Sequence, residues 1–203
     1  MTRSIIAIAA CILIAGCTQK EKEAAPPQMP AQGNDMVASP HQTLRQGPSN
    51  AVAGVHWTVP AGWTEQGARQ MRIATYTIPA AKGDPEETEC AVFYFGANQG
   101  GDIGTNIDRW ASQFDHAPAP VKKNEEVHGM QVTTVRIDGT YLAPAGPMME
   151  SQGKREGYRL LGAIVAAPEG SVFFKLTGPA KSVAAAEEAF RGLVQSLAPS
   201  SQM

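Results

Sequence analysis

Apolar residues recur at the spacing of an α-helix in two parts of the chain. In the first part, intervals of four, three and four residues place four apolar side chains on one helical face, namely Ile103, Ile107, Trp110 and Phe114. This pattern predicts a helix over 105–114, with Thr105 and Asp108 in a capping arrangement at its start. In the second part, Ser182 is expected to cap a helix that ends before Pro199.

Other segments show the patterns of β-strands. Residues 71–78 alternate apolar and polar positions, which predicts a strand with one buried face and one solvated face. Residues 89–96 are apolar almost throughout and indicate a central strand. The other predicted strands are 55–59, which ends at a Pro-x-Gly turn over 60–63, the segment 131–142, and a hairpin formed by 158–167 and 171–177.

The predicted elements follow one another in the order β-β-β-α-β-β-β-α. Consecutive strands with short connections are usually antiparallel, and each amphipathic helix needs a sheet face on which to bury its apolar side. We therefore predict an α+β sandwich, in which an antiparallel sheet of about six strands packs with two main helices.

The amino terminus has the pattern of an export signal. Arg3 supplies a positive charge, and an apolar run over 5–15 follows it. As a helix this run is only about 16 Å long, which is too short to cross a bilayer core of roughly 30 Å. These features predict a cleaved signal peptide rather than a transmembrane helix.

The end of this signal, Ile14-Ala15-Gly16-Cys17, resembles the lipobox of bacterial lipoproteins. The resemblance implies cleavage before Cys17 and acylation of that cysteine, and two or three acyl chains form a stable membrane anchor. Thr18, because it is not Asp, implies sorting to the outer membrane. The expected location is therefore the cell envelope, with the protein facing the periplasm. An ordinary signal peptide with a chance cysteine is the alternative.

Composition divides the chain into four parts. Residues 18–50 are rich in proline and polar residues and lack an apolar period, so they are expected to form a disordered tether with a reach of roughly 30 Å. The predicted parts are a signal peptide over 1–16, the lipidated cysteine and tether over 17–50, one α+β domain over 51–198, and a tail over 199–203.

Charge and cysteine content narrow the classes of function. Without Arg3 the chain keeps 16 Lys and Arg residues (17 − 1) against 19 Asp and Glu residues, a formal net charge of −3. This charge argues against nucleic acid as a partner, because phosphate binding requires a basic surface. Of the three cysteines, Cys11 leaves with the signal and Cys17 is lipidated. Cys90 is then unpaired and, among apolar neighbours, is expected to be buried in a strand.

The order of elements and several local motifs resemble the PsbP-like family. The motifs are Trp57-Thr-Val-Pro-Ala-Gly-Trp63, a strand ending at Gly96, a helix with Arg109-Trp110, Gly139-Thr-Tyr141, and Phe174-Lys175-Leu-Thr-Gly178-Pro179 before a helix. The resemblance covers most of 51–198 and implies a PsbP-like sandwich. It also implies a binding or assembly protein, although a shared fold is only an analogy for function. No residue role carries over.

A search of the sequence for catalytic and metal-binding motifs finds none. The four histidines lack the spacing of zinc ligands, and neither a nucleophile elbow nor a phosphate-binding glycine loop occurs. The pairs Glu86-Glu87 and Glu125-Glu126 are expected in loops, where adjacent side chains point to opposite sides. We therefore predict a protein without enzymatic activity, metal or cofactor.

A few residues could still bind a ligand. Gln99, Gly100 and Gly101 precede the first helix, whose free amide groups could hold an anion, although glycines also suit the turn alone. Arg109 lies one step from the apolar helical face and could pair with a ligand or form a structural ion pair. Lys175 lies in an otherwise apolar strand and is expected to point outward.

Two hypotheses of function remain. The leading one is an envelope lipoprotein whose domain binds a protein partner or assists the assembly of an envelope complex. Its candidate contact is a long loop over 143–157 with paired methionines, since such loops are either functional or disordered. The alternative is a small-ligand-binding or hydrolytic periplasmic domain with a pocket near Gln99, Arg109 and Lys175.

Overall fold

Ten β-strands and two α-helices make up the part of the chain that this computed structural model describes, residues 50–67, 69–142 and 153–200. The helices are α1 (Ile103–Ala111) and α2 (Ala180–Gln195). The strands are β1 (Ala51–Val52), β2 (Val55–His56), β3 (Thr64–Glu65), β4 (Ala74–Ile78), β5 (Thr88–Tyr94), β6 (Val121–Val127), β7 (Met130–Leu142), β8 (Lys154–Ala167), β9 (Gly170–Pro179) and β10 (Ala198–Pro199).

Seven of these strands form one antiparallel sheet, in the order β3-β4-β5-β9-β8-β7-β6. The short strands β1, β2 and β10 form a second antiparallel sheet. The predicted α+β class, with two helices and an antiparallel sheet, is confirmed. The main sheet has seven strands instead of about six. Five of the predicted strands belong to it, the predicted strand 55–59 contributes β2 to the small sheet, and the sequence patterns do not reveal the two edge strands, β3 and β6.

Strand β6 is polar along most of its length. Its sequence is Val-Lys-Lys-Asn-Glu-Glu-Val, and five of its seven residues are exposed. An edge strand outside the core needs no apolar face, which explains why the apolar pattern misses it. Glu125 and Glu126 lie in this strand, so their prediction as loop residues is wrong.

The two helices pack on opposite faces of the seven-stranded sheet. Neighbouring residues of β9 show this division, because side chains alternate between the two faces of a strand. Phe174 belongs to the apolar cluster of α2, together with Val183 and Phe190. Phe173 belongs to the cluster of α1, together with Trp110. Each helix therefore buries its apolar side against a different face of the sheet.

Helix α1 begins two residues earlier than predicted. The carboxylate of Asp102 accepts a hydrogen bond from the amide of Thr105 at 2.9 Å and caps the helix. This contact corrects the predicted pairing of Thr105 with Asp108. Ile103, the first helical residue, is 41% exposed and does not belong to the buried face. The helix ends three residues before Phe114, which is nevertheless buried.

Helix α2 follows Pro179 directly, so Ser182 lies in its first turn and does not cap it. The Ser182 hydroxyl instead accepts a hydrogen bond from the amide of Ala81 at 2.8 Å and donates one to the Asp84 carboxylate. The buried serine therefore fastens the connection between β4 and β5 to the start of α2.

Several strand boundaries differ from the predicted ones. Of the predicted strand 71–78, only the last five residues form a strand, β4. Thr75 is buried in it along with the apolar side chains, so the prediction of a solvated face is wrong. Strand β8 begins at Lys154, which shortens the predicted loop, and residues 143–152 lie outside the described part. Pro199, placed in the predicted tail, instead pairs with Val55 in the small sheet. The predicted hairpin of β8 and β9 is confirmed.

Cys90 is fully buried in β5, as the sequence predicts. Its burial raises the pKa of the thiol well above the usual range, and a thiol that stays protonated is a poor nucleophile. Within the described residues, neither helix is long and apolar enough to cross a membrane.

Candidate functional site

Four of the five residues predicted to bind a ligand line one shallow depression at the amino end of α1. This depression, here named the α1 depression, has a volume of about 480 Å³. It is lined by Phe95, Gln99, Gly100, Gly101, Thr105, Asn106 and Arg109. The structure therefore brings together Gln99, both glycines and Arg109, whereas Lys175 lies elsewhere on the same face of the sheet.

The two glycines are required by the backbone of the turn. Gly100 and Gly101 have φ angles of 93° and 77°, in the left-handed region that favours glycine. A Cβ atom on Gly100 would also lie 3.0 Å from the rings of Phe95 and Phe173. The glycine pair therefore allows the chain to pass close over the aromatic side chains and enter α1.

Asn106 joins this turn to the helix. Its side chain is buried, and its amide nitrogen donates hydrogen bonds to the carbonyl oxygens of Gly100 at 2.7 Å and Asp102 at 2.8 Å. Its carbonyl oxygen accepts a hydrogen bond from the Arg109 guanidinium. Arg109 is thus fixed along the wall of the depression by a neutral partner, and its positive charge remains available to the surface.

The start of α1 already has an acceptor of its own. The Asp102 carboxylate accepts hydrogen bonds from the hydroxyl of Thr105 at 2.5 Å and from its amide at 2.9 Å. These bonds lower the pKa of Asp102, so the carboxylate is negatively charged at neutral pH. This carboxylate occupies the Thr105 amide at the helix start, and the glycine turn leads the chain into that capped helix.

Lys175 lies beside the carboxyl end of α1 instead of pointing outward into solvent. Its ammonium donates a hydrogen bond to the Gln113 side chain and lies 3.4 Å from the Tyr141 hydroxyl and 5.5 Å from the centre of its ring. Burial lowers the pKa of Lys175 to about 8, and the positive charges of Arg72 and Arg109 act in the same direction. The expectation of an outward lysine is wrong, because α1 and Tyr141 cover this part of β9.

Charged and aromatic groups surround this lysine on the α1 side of the sheet. Tyr141 and Tyr158 stack with ring centres 5.6 Å apart. The Tyr158 hydroxyl donates a hydrogen bond to the Glu86 carboxylate, which also pairs with Arg155. The hydrogen bond from Tyr158, followed by the one from Arg155, lowers the pKa of Glu86. Each of these charges therefore already has a partner within the protein.

A second concave surface lies on the opposite face, between α2 and strands β6 to β8. This surface, here named the α2 groove, has a volume of about 230 Å³. Buried side chains of Leu161, Phe190 and Val194 form its apolar floor. Val121 also belongs to its lining and is 60% exposed.

Charged residues form the rim of the α2 groove. Its lining contains four cations and two carboxylates, a net charge of +2, contributed by Lys122, Lys123, Arg136, Arg191, Glu125 and Glu187. Five of these six charges form ion pairs within the protein. Lys123 pairs with Glu125 at 3.1 Å, Arg136 with Asp138 at 3.1 Å, Arg191 with Glu188 at 3.0 Å and Glu187 with Arg159 at 3.7 Å. Cations still outnumber carboxylates in the lining. The groove is therefore locally basic on a chain whose formal net charge is −2.

The sequence patterns do not reveal the α2 groove. Its residues come from β6, β7, β8 and α2, which are far apart along the chain, and only the antiparallel sheet brings them together. The Lys-Lys pair at the start of β6 is the one local signal. No set of three histidine, cysteine, aspartate or glutamate side chains within the described ranges is close enough to hold a metal ion.

Comparison with known proteins gives no functional assignment. No family model matches the chain, and no curated protein matches it. Among solved structures, the chain is similar to PA94, a protein of unknown function from Pseudomonas aeruginosa, with 12% sequence identity and a TM-score of 0.39. The similarity covers 70% of this chain and 100% of that one. A similarity of this strength carries no argument about function.

Proposed function

We propose that this chain is a lipid-anchored lipoprotein of the bacterial cell envelope whose α+β domain binds a protein partner without catalysing a reaction. The observation that carries the proposal is the α2 groove, with its buried apolar floor and charged rim. Protein interfaces combine an apolar centre with a polar rim in this way. The PsbP-like fold, inferred from the order of elements, agrees with a binding or assembly role.

The anchor is supported by the sequence. Cys17 follows a short apolar run and a lipobox-like motif, and a proline-rich segment separates it from the domain. Cys17→Ser should abolish acylation and release the protein from the membrane fraction into the soluble fraction. Fractionation of cells that produce either form measures this change. Equal membrane association of the two forms would contradict an anchor at Cys17.

The state of the reactive groups supports binding rather than catalysis. The thiol of Cys90 is buried, and its pKa is raised by that burial. Glu86 and Glu89 are held in ion pairs with arginines. General acid–base catalysis requires a group with a suitable pKa within reach of a substrate. The Cys90 thiol is inaccessible, and the carboxylates of Glu86 and Glu89 are engaged in ion pairs within the fold.

The binding role is tested by crosslinking intact cells and purifying the lipidated protein with its partners. We expect one stoichiometric envelope protein, whose recovery falls in Arg191→Ala because Arg191 belongs to the groove rim. Lys82→Ala is the matched control, since this exposed lysine lies outside the groove. No reproducible partner, or equal recovery with the two variants, would contradict binding through the groove.

A small anionic ligand on the α1 side is the second candidate. The observation that favours it is Lys175, a partly buried ammonium whose nearest partners, Gln113 and Tyr141, are neutral. An anion would compensate this charge better than neutral groups do. A thermal-shift screen of small anions should find one that stabilises the wild-type protein and not Lys175→Met. Equal stabilisation of both proteins would exclude this site.

A further inference from the structure

We propose that the partner supplies an extended acidic segment that pairs with β6 as an eighth strand of the main sheet and places its alternate side chains in the α2 groove. This inference rests on the proposed partner-binding function and specifies the chemistry of the partner. It follows from three features of β6, namely its free edge, the exposed Val121 and the basic charge beside it.

Strand β6 forms one edge of the seven-stranded sheet and pairs only with β7 among the described residues. The two strands join through a two-residue turn at His128 and Gly129, in which Val127 faces Met130. Such a turn closes on a hydrogen-bonded pair, and these pairs alternate along an antiparallel ladder. The backbone groups that point away from β7 are therefore those of Lys122, Asn124 and Glu126.

These outward groups form a template for another strand. A sheet edge with unpaired N–H and C=O groups can accept an extended peptide, and side-chain pockets then give specificity. The opposite edge is β3, which has only two residues. Strand β6 has seven residues, which is long enough for a stable ladder. Among the described strands, β6 is therefore the better acceptor.

The side chains beside this edge select the chemistry of the added strand. On the groove side, β6 presents Val121, Lys123 and Glu125. Arg136 lies opposite Val121 on β7. An added strand would place every second side chain on this face. Apolar residues would cover Val121 and the floor of the groove, and acidic residues would pair with the cations. The two lysines lie in the amino-terminal half of β6, so a basic residue placed there would be repelled.

The test uses the full-length chain in detergent and a fluorescent synthetic peptide of about eight residues that alternates valine and glutamate. Fluorescence anisotropy should show binding that weakens as salt concentration rises. A matched peptide with lysine in place of glutamate should not bind. A double variant, Lys123→Glu with Arg136→Glu, reverses two charges on the groove side and should reverse this preference.

The pairing itself is tested by Asn124→Pro against Asn124→Ala. Both variants lose the Asn124 side chain, which accepts a hydrogen bond from Thr133. Only proline removes the outward N–H, and the ladder with β7 stays intact because that N–H points away from it. We expect Asn124→Pro to bind the acidic peptide roughly tenfold more weakly than Asn124→Ala, with thermal unfolding midpoints close together.

Three results would overturn strand addition. These are no binding of the acidic peptide, equal binding by the proline and alanine variants, and tighter binding to vesicles of anionic phospholipid than to the peptide. If cells still yield a partner that Asn124→Pro retains, strand pairing is wrong and the proposed function stands. If the wild-type protein yields no partner in cells, the proposed function is wrong, whether or not the synthetic peptide binds.

Discussion

At the scale of single residues, one glycine determines how closely α1 approaches the sheet. A Cβ atom on Gly162 would lie 2.2 Å from Cζ3 of Trp110, far inside the contact distance of two carbon atoms. The indole therefore packs directly on the backbone of β8. Sequence patterns identify Trp110 as a core residue, but they do not show that a glycine on a distant strand makes room for it.

We expect Gly162→Ala to lower the free energy of unfolding by about 1–3 kcal/mol, because the added methyl group forces the Trp110 ring to move. Gly192→Ala is the matched control. Gly192 lies in α2 and has open space where a Cβ atom would be, so alanine there should stabilise the helix by about 0.5–1 kcal/mol. Urea unfolding of the two variants measures both changes. An unchanged free energy of unfolding in Gly162→Ala would contradict the close contact between Trp110 and the backbone of β8.

Lys175 gives the stability of the protein a specific dependence on pH. Its pKa is about 8 in the folded protein, against an ordinary value near 10.5. Between these two values the unfolded chain binds more protons than the folded one, so the free energy of unfolding rises with pH. Below about pH 8 the partly buried ammonium therefore destabilises the folded protein by its full amount.

Lys175→Met removes this cost and keeps a side chain of similar length. We expect the variant to be more stable than the wild-type protein at about pH 7, with a difference that shrinks as the pH rises through 8 towards 10.5. Urea unfolding of both proteins across this range measures the difference. A difference that stays constant with pH would contradict the burial of a charged lysine at this position.

At the scale of elements, the apolar patterns predict the helices and strands that bury an apolar face, and they miss the strands that do not. Both helices, β7 and the hairpin of β8 and β9 carry apolar series, and the sequence predicts each of them. Strand β6 carries almost no apolar residues because it lies at the edge, so only the neighbouring β7 defines it. The residues that line the α1 depression are close together in the sequence, so the sequence could predict that they meet. The residues that line the α2 groove are brought together only by the order of the strands.

The cap of α1 can be tested by mutation, because the sequence and the structure assign the start of this helix to different residues. Asp102→Ala should lower the free energy of unfolding, since the Thr105 amide would lose its acceptor. Asp108→Ala should have little effect, because Asp108 is exposed within the helix. Thermal or urea unfolding compares the two variants. A larger loss for Asp108→Ala would support the cap predicted from sequence.

At the scale of the whole molecule, the two faces of the sheet differ in what they offer a partner. On both sides most charged groups are held by contacts within the fold, so the difference lies in the apolar floor and the strand edge. On the α2 side, the groove lies next to a free strand edge, an exposed valine and a basic rim. This asymmetry leads us to place the protein partner on the α2 side.

Photocrosslinking from each face in intact cells tests this placement most directly. A photoreactive amino acid replaces either Arg191, on the rim of the α2 groove, or Gln99, in the α1 depression, and both positions are exposed. We predict a covalent protein adduct from position 191 and none from position 99. An adduct formed only from position 99, or no adduct from either position, would contradict partner binding through the α2 groove.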